Sequence, residues 1–315
     1  MIRMPEARAD KEGGRMAAER LAAVYESFDE RFADVGGDRC IECVFDGGRW
    51  LEGPAYHPAH RFVLFSDIPN ERVLRFDERT GRVDVVDAAS GFANGRTVDA
   101  QGRFVWCEHG GRRVARLEHD GSTSVVADAF NGAPLNSPND VAVHSDGSVW
   151  FTDPTYGIMS DYEGVAASPE QPVRGVYRVD PDGSIALLLG ELDQPNGIAF
   201  GPDSTTVYVT DSGTPAIWRA EVRSDGSTGA PERIADADVV YDGIRIDALG
   251  RLWVAAEDGV RCHDADGTLI GRIPLPETVA NLEFGGPRRN ILYITATTSL
   301  YVLRTTVRGL ARAGG

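Results

Sequence analysis

Short stretches in which apolar and polar residues alternate recur along the chain, the period-two signature of half-buried strands. They come in pairs divided by a turn. In SPNDVAVHSDGSVWFTDPTYG (137–157), Asn139 leads into the run VAV and a turn falls at Ser145-Asp146-Gly147. A second run, SVWFTD, begins at Ser148, nine residues after Asn139. The same figure links Glu52 to Arg61, Asn94 to Arg103, Asn196 to Thr205, Asp242 to Arg251 and Asn281 to Asn290. Each time a polar residue precedes a strand, a turn and a second strand.

The six units start 42, 45, 57, 46 and 39 residues apart. That is the length of a four-stranded blade, and radial repetition of blades gives a closed ring around a channel. The pattern therefore predicts an all-β, six-bladed β-propeller with a short N-terminal helical extension. Second and third strands read RFVLFSD/RVLRFD, RFVWCEH/RVARLEH, SVWFTD/GVYRVD, TVYVTD/AIWRAE, RLWVAA/GVRCHD and ILYITA/SLYVLR. A ring must close without a free edge, so residues 40–45 are expected to complete the last blade beside ILYITA and LYVLRT.

Residues 1–35 form an N-terminal extension, and 36–315 form the propeller. Within the extension, Leu21, Val24, Tyr25, Phe28 and Phe32 fall at steps of three and four, which predicts one amphipathic helix over 16–33 packed on the outside of the ring. A long insert, 156–175, divides the second and third strands of the third blade. Loops of that length in a compact repeat are usually functional or mobile, and it is read as a flap over one mouth of the channel.

Rotational equivalence places Glu52, Asn94, Asn139, Asn196, Asp242 and Asn281 in a ring at one end of the innermost strands. Asn and Asp also serve as ordinary turn residues, but two carboxylates and four amides facing one channel are unlike a core. Buried carboxylates are costly unless paired or metal-bound. Glu52, Asn139, Asn196 and Asp242 have the strongest ligand chemistry. An oxygen-only donor set suits a hard divalent cation, Ca²⁺ first, with Mg²⁺, Mn²⁺, Zn²⁺ or Fe²⁺ as alternatives. Asp153 and Asp211, at matching positions after second strands, are expected to organise turns.

The net charge of −16 excludes a nucleic-acid binder, which needs a basic footprint. No apolar run is long enough for a membrane helix, and the first sixteen residues lack the apolar centre of a signal peptide. Four cysteines, Cys40, Cys43, Cys107 and Cys262, form no framework. They suit a reducing, cytoplasmic setting, with Cys40 read as a packed thiol. Oligomeric state is not legible.

The motifs EGP (52–54), CEHG (107–110), SPND (137–140), FTDPTYG (151–157), QPNG (194–197) and YDG (241–243) resemble those of the SMP-30/gluconolactonase/LRE family, especially its bacterial gluconolactonases. The resemblance spans roughly residues 36–305. It implies a six-bladed propeller lactonase, a channel metal on Glu52, Asn139, Asn196 and Asp242, and hydrolysis of sugar lactones, small-molecule substrates. Some animal members carry an Arg two residues before the ligand Asn, where this chain has Ser137, so their substrate contacts do not transfer. Asn94, His109, Arg113 and Tyr156 are the candidate substrate-binding residues. Asp242, or Glu52, is the candidate catalytic base. Two other readings stay open: a phosphotriesterase-like hydrolase on a similar calcium propeller, and a non-enzymatic propeller that binds protein partners.

Overall fold

The computed structural model describes residues 19–311. Six antiparallel sheets of four or five strands, one per predicted unit, form a closed six-bladed propeller, and a two-stranded ribbon pairs Ala129–Phe130 with Ala133–Pro134 outside them. Each innermost strand packs against the innermost strand of the next blade, and the sixth against the first. The first blade runs Leu51–His57, Phe62–Asp67, Arg72–Asp77 and Arg82–Asp87. The second is Ala93–Val98, Phe104–Glu108, Arg113–Leu117 and Thr123–Ala127. The third is Val141–Val143, Val149–Asp153, Gly175–Val179 and Ile185–Leu189. The fourth is Pro195–Phe200, Thr206–Asp211, Ala216–Glu221 and Glu232–Asp236. The fifth is Tyr241–Ile246, Leu252–Ala256, Gly259–His263 and Leu269–Pro274.

The sixth blade takes Val279–Gly285, Ile291–Ala296 and Leu300–Arg304 from the C-terminal end and Cys40–Phe45 from the N-terminal end. The expected closure of the ring is thus observed. Alternation sends Ile41 into the core and leaves Cys40 exposed, so the packed-thiol reading of Cys40 fails. All four cysteines are free thiols.

The helix expected over 16–33 is not formed in its described part. Residues 16–18 lie outside the described residues. Glu19–Ala22 is a strand on the outer edge of the sixth blade, paired with Cys40–Phe45. Glu26–Ser27 pairs with Leu269–Pro274 on the outer edge of the fifth. Helical structure shrinks to one 3₁₀ turn, Glu30–Phe32, capped by the Asp29 side chain. The reason is tertiary. Two sheet edges offer unpaired N–H and C=O groups, and satisfying them outweighs the weak preference of a short segment for helix. The spacing that suggested a helix face still buries Phe32, which is 2% exposed and packs with Trp253.

The core lies between blades, in layers built from alternate residues of each strand. Trp150 and Trp253, on the second strands of blades three and five, are fully buried. Each indole N–H is satisfied, Trp150 by Ser148 Oγ at 2.9 Å and Trp253 by Asp247 Oδ2 at 3.0 Å. The turns between first and second strands are fixed by aspartates accepting backbone N–H groups. Asp99 binds those of Gln101 and Arg103, and Asp247 those of Leu249 and Arg251. At the opposite ends, Asp153 accepts from the Asn136 and Ser137 N–H groups, and Asp211 from Asp193 and Gln194. These two aspartates are turn organisers, as expected. Among the described residues no helix is long and apolar enough to cross a membrane.

Candidate active site

The ring residues reach the channel through a local departure from regular pairing. In five innermost strands the register slips beside the ring residue: between Glu52 and Ala55, Ala93 and Arg96, Pro195 and Ile198, Tyr241 and Ile244, and Val279 and Asn281. Bulges of this kind bend a strand and re-aim a side chain. The glycines after ring residues permit the close approach. Gly53 has φ +50°, and a Cβ there would lie 2.1 Å from the Asn94 carbonyl oxygen of the next blade. At Gly243 a Cβ would meet the Asn281 amide at 2.2 Å. Hydroxyls on second strands then tie blade to blade. Ser66 donates to the Asn94 carbonyl at 3.1 Å, Thr152 to the Asn196 carbonyl at 2.6 Å, and Thr210 to the Asp242 carbonyl.

A cavity of about 190 Å³ results, lined by Trp50, Glu52, Asn94, Asn139, Tyr156, Glu163, Asn196, Ser212, Val240 and Asp242. All four expected metal-ligand positions and two of the expected substrate positions, Asn94 and Tyr156, face it. Asn281 stands behind Glu52, donating to its Oε2 at 2.9 Å. The Gly53 N–H donates to the same oxygen.

The amide orientations are set by their nitrogen ends. Asn196 Nδ2 donates to Ser212 Oγ at 3.0 Å. Asn94 Nδ2 lies 3.1 Å from His109 Nε2, and His109 Nδ1 lies 2.9 Å from the Glu163 carbonyl oxygen. Burial holds His109 neutral, its pKa lowered to about 4. A neutral ring bonded to a carbonyl through Nδ1 carries its proton there and accepts at Nε2. Both amides therefore turn oxygen outward. Asn94 Oδ1, Asn196 Oδ1 and Asp242 Oδ1 are buried with no hydrogen-bond partner. Orphaned buried acceptors are rare and need an explanation.

The carboxyl groups are crowded. Burial pushes Glu52 up to about 7, and the neighbouring Asp140 charge adds to the rise. Asp242 lies well above the carboxylate range through burial first, then the charges of Glu52 and Glu163. Burial also raises Glu163 to about 7. Three orphaned oxygens and convergent carboxylates fit a hard divalent cation. Among the described residues no three His, Cys, Asp or Glu side chains cluster for a metal, so such an ion would depend on the amides as well as on Glu52 and Asp242.

His109 and Arg113 do not line the cavity. His109 sits behind Asn94 and anchors the insert. Arg113 is turned away by a double hydrogen bond to Glu108, at 2.7 and 3.2 Å. The insert itself closes over one side. It holds the one α-helix of the described residues, Tyr156–Met159. Its far end is pinned by Gln171 Nε2, which faces the Phe130, Ala133 and Pro134 carbonyls. Glu163 and Ser212 were not singled out in the sequence. Glu163 lies in an aperiodic loop, and Ser212 follows a strand end where the turn-organising Asp211 is the residue that the repeat marks.

A family-wide sequence profile described as "SMP-30/Gluconolactonase/LRE-like region" matches residues 50–298. The chain belongs to this family. Within it, the chain is 30% identical to the gluconolactonase of Zymomonas mobilis over 85% of this chain and 82% of that protein. It is 30% identical to the pentonolactonase XacC of Haloferax volcanii over 78% of this chain and 80% of that one. The structure of gluconolactonase XC5397 of Xanthomonas campestris superposes with a TM-score of 0.86 at 37% identity, covering 92% of this chain and 99% of that one. A regucalcin from Agrobacterium tumefaciens, at 21% identity and a TM-score of 0.73, shares the fold.

Proposed function

We propose that this lactonase-type enzyme hydrolyses sugar lactones in the ring cavity, with one divalent cation held by Glu52, Asn139, Asn196 and Asp242. The observation that carries the reading is that the orphaned oxygens of Asn196 and Asp242, two of these four residues, face one cavity together with that of Asn94, which is left for a substrate hydroxyl. Bound there, Ca²⁺ or a similar ion supplies Lewis-acid chemistry toward a carbonyl and acidifies water.

The chain's own residues supply the rest. With a cation bound beside it, the Asp242 carboxyl group would be ionised and so able to accept a proton at neutral pH. Asp242 takes a proton from water as the water oxygen attacks the lactone carbonyl carbon. The ring C–O bond then breaks, and the proton passes to the departing alkoxide, leaving the hydroxy acid. Glu52 serves mainly as an anchor, because its Oε2 is already engaged by Asn281 and Gly53. Burial raises the Tyr156 phenol above its ordinary range, so it stays an O–H donor for substrate oxygens. The Glu163 carboxyl, on the flap, can accept from a sugar hydroxyl. The small volume, with carboxyl, amide and hydroxyl groups set beside apolar walls at Trp50 and Val240, suits a single sugar ring.

The test is turnover of D-glucono-1,5-lactone and of an aryl phosphotriester, each with and without chelator. Chelator-sensitive lactone hydrolysis is expected. Turnover of the triester alone would assign the site to the phosphotriesterase-like reading, and no turnover of either would favour a binding propeller.

A further inference from the structure

Beneath the ring a second set of charges crosses the channel. Arg245, three residues after Asp242 on the fifth blade, donates from Nη1 to Asp140 Oδ2 at 3.2 Å and from Nε to Glu283 Oε2 at 3.1 Å. Nη1 also reaches the Ile244 carbonyl at 2.7 Å, which holds the guanidinium against its own strand. Asp140 directly follows Asn139 on the third blade and is fully buried. Glu283 stands two residues after Asn281 on the sixth blade, and Asn281 holds Glu52. One planar guanidinium therefore joins the blades that carry Asn139, Asp242 and, through Asn281, the contact to Glu52. None of Arg245, Asp140 and Glu283 lines the cavity.

We propose that Arg245 is a positioning residue that fixes blades three, five and six at the spacing where the ring oxygens converge on a divalent cation. This rests on the reading that the ring binds one. A planar fork suits the task, because it can satisfy two carboxylates in fixed directions as an ammonium cannot. The direction of the effect separates positioning from simple charge. A guanidinium beside a cation site repels the cation, so if charge were its whole role, its removal would tighten binding. If it positions the ligands, removal weakens binding, as loss of outer-shell partners does by roughly 10–100-fold.

The experiment is isothermal titration of Ca²⁺ into chelator-stripped full-length protein, with circular dichroism and thermal melts of each metal-free variant. Arg245→Met should bind about 10–100-fold more weakly, and Arg245→Lys should fall between it and wild type. Asp140→Asn/Arg245→Met severs the same link without changing net charge or leaving Asp140 ionised. It should weaken binding like Arg245→Met, and it carries the test if the single variant does not fold. Equal or tighter binding by the folded variants would overturn the assignment. Wild-type protein that binds none of Ca²⁺, Mg²⁺, Mn²⁺, Zn²⁺ and Fe²⁺ would overturn the metal reading and this assignment together.

Discussion

Asp242 combines an orphaned buried oxygen with a carboxyl group pushed well above its ordinary range by burial and by Glu52. Asp242→Asn keeps one ligand oxygen but removes the proton acceptor. At saturating cation, kcat should fall by roughly 10²–10⁴, the usual worth of general-base catalysis. Glu52→Gln is the control. Near wild-type turnover in Asp242→Asn beside a dead Glu52→Gln would move the base to Glu52. A second residue-scale effect concerns stability. His263 is buried between the Tyr241 hydroxyl at 2.8 Å and the Gly267 carbonyl at 2.9 Å, and burial lowers its pKa to about 4. Below the ordinary value of about 6.5 the unfolded chain binds the proton first. This contribution is therefore full above pH 6.5 and is lost as pH falls towards 4, by at most roughly 3 kcal/mol. Urea midpoints at pH 7 and 4.5 should differ less in His263→Gln than in wild type. Equal differences would show that His263 does not set this slope.

At the scale of elements, the parts the sequence made legible are those governed by repetition. The nine-residue step from ring residue to second strand reflects an inner strand and turn of fixed length, so it survives divergence. Elements defined by contact with something else were misread or missed. The N-terminal segment takes its strands from two free sheet edges, which local periodicity cannot register. Glu163 enters the cavity because the His109 contact to its carbonyl holds the insert there. Arg113 is drawn off by Glu108, two ordinary residues whose pairing needs the folded hairpin. Two predictions follow at this scale. Deleting 160–170 removes Glu163 and the His109 anchor, and should raise KM for a sugar lactone on the order of tenfold with a native circular dichroism spectrum. Unchanged KM would make the insert an outer decoration. Phe32→Ala empties a buried site against Trp253 and should cost about 3–5 kcal/mol of unfolding free energy while KM stays near wild type. A loss below about 1 kcal/mol would show that the N-terminal segment does not brace the ring.

Across the whole molecule, a chain that closes its last blade with its own N-terminal strand ties both ends into one cooperative unit. The channel is then its most constrained region, where blades meet through glycines and hydroxyl ties. Six ring positions were visible as a set because rotation repeats them. The orientation of their amides was not, because it depends on Ser212 and His109, which come from single blades. A cation that binds only the folded ring should stabilise it by mass action, by about 2.7 kcal/mol at a hundredfold excess over Kd, and raise Tm by several degrees. The most direct test of the account is the rate of D-glucono-1,5-lactone hydrolysis by chelator-stripped protein as one equivalent of Ca²⁺ or another divalent cation is returned. Activity should be lost on stripping and recovered at one ion per chain, with no recovery in Asn196→Ala at the same concentration. Full activity in the stripped protein, or recovery unaffected by Asn196→Ala, would contradict it.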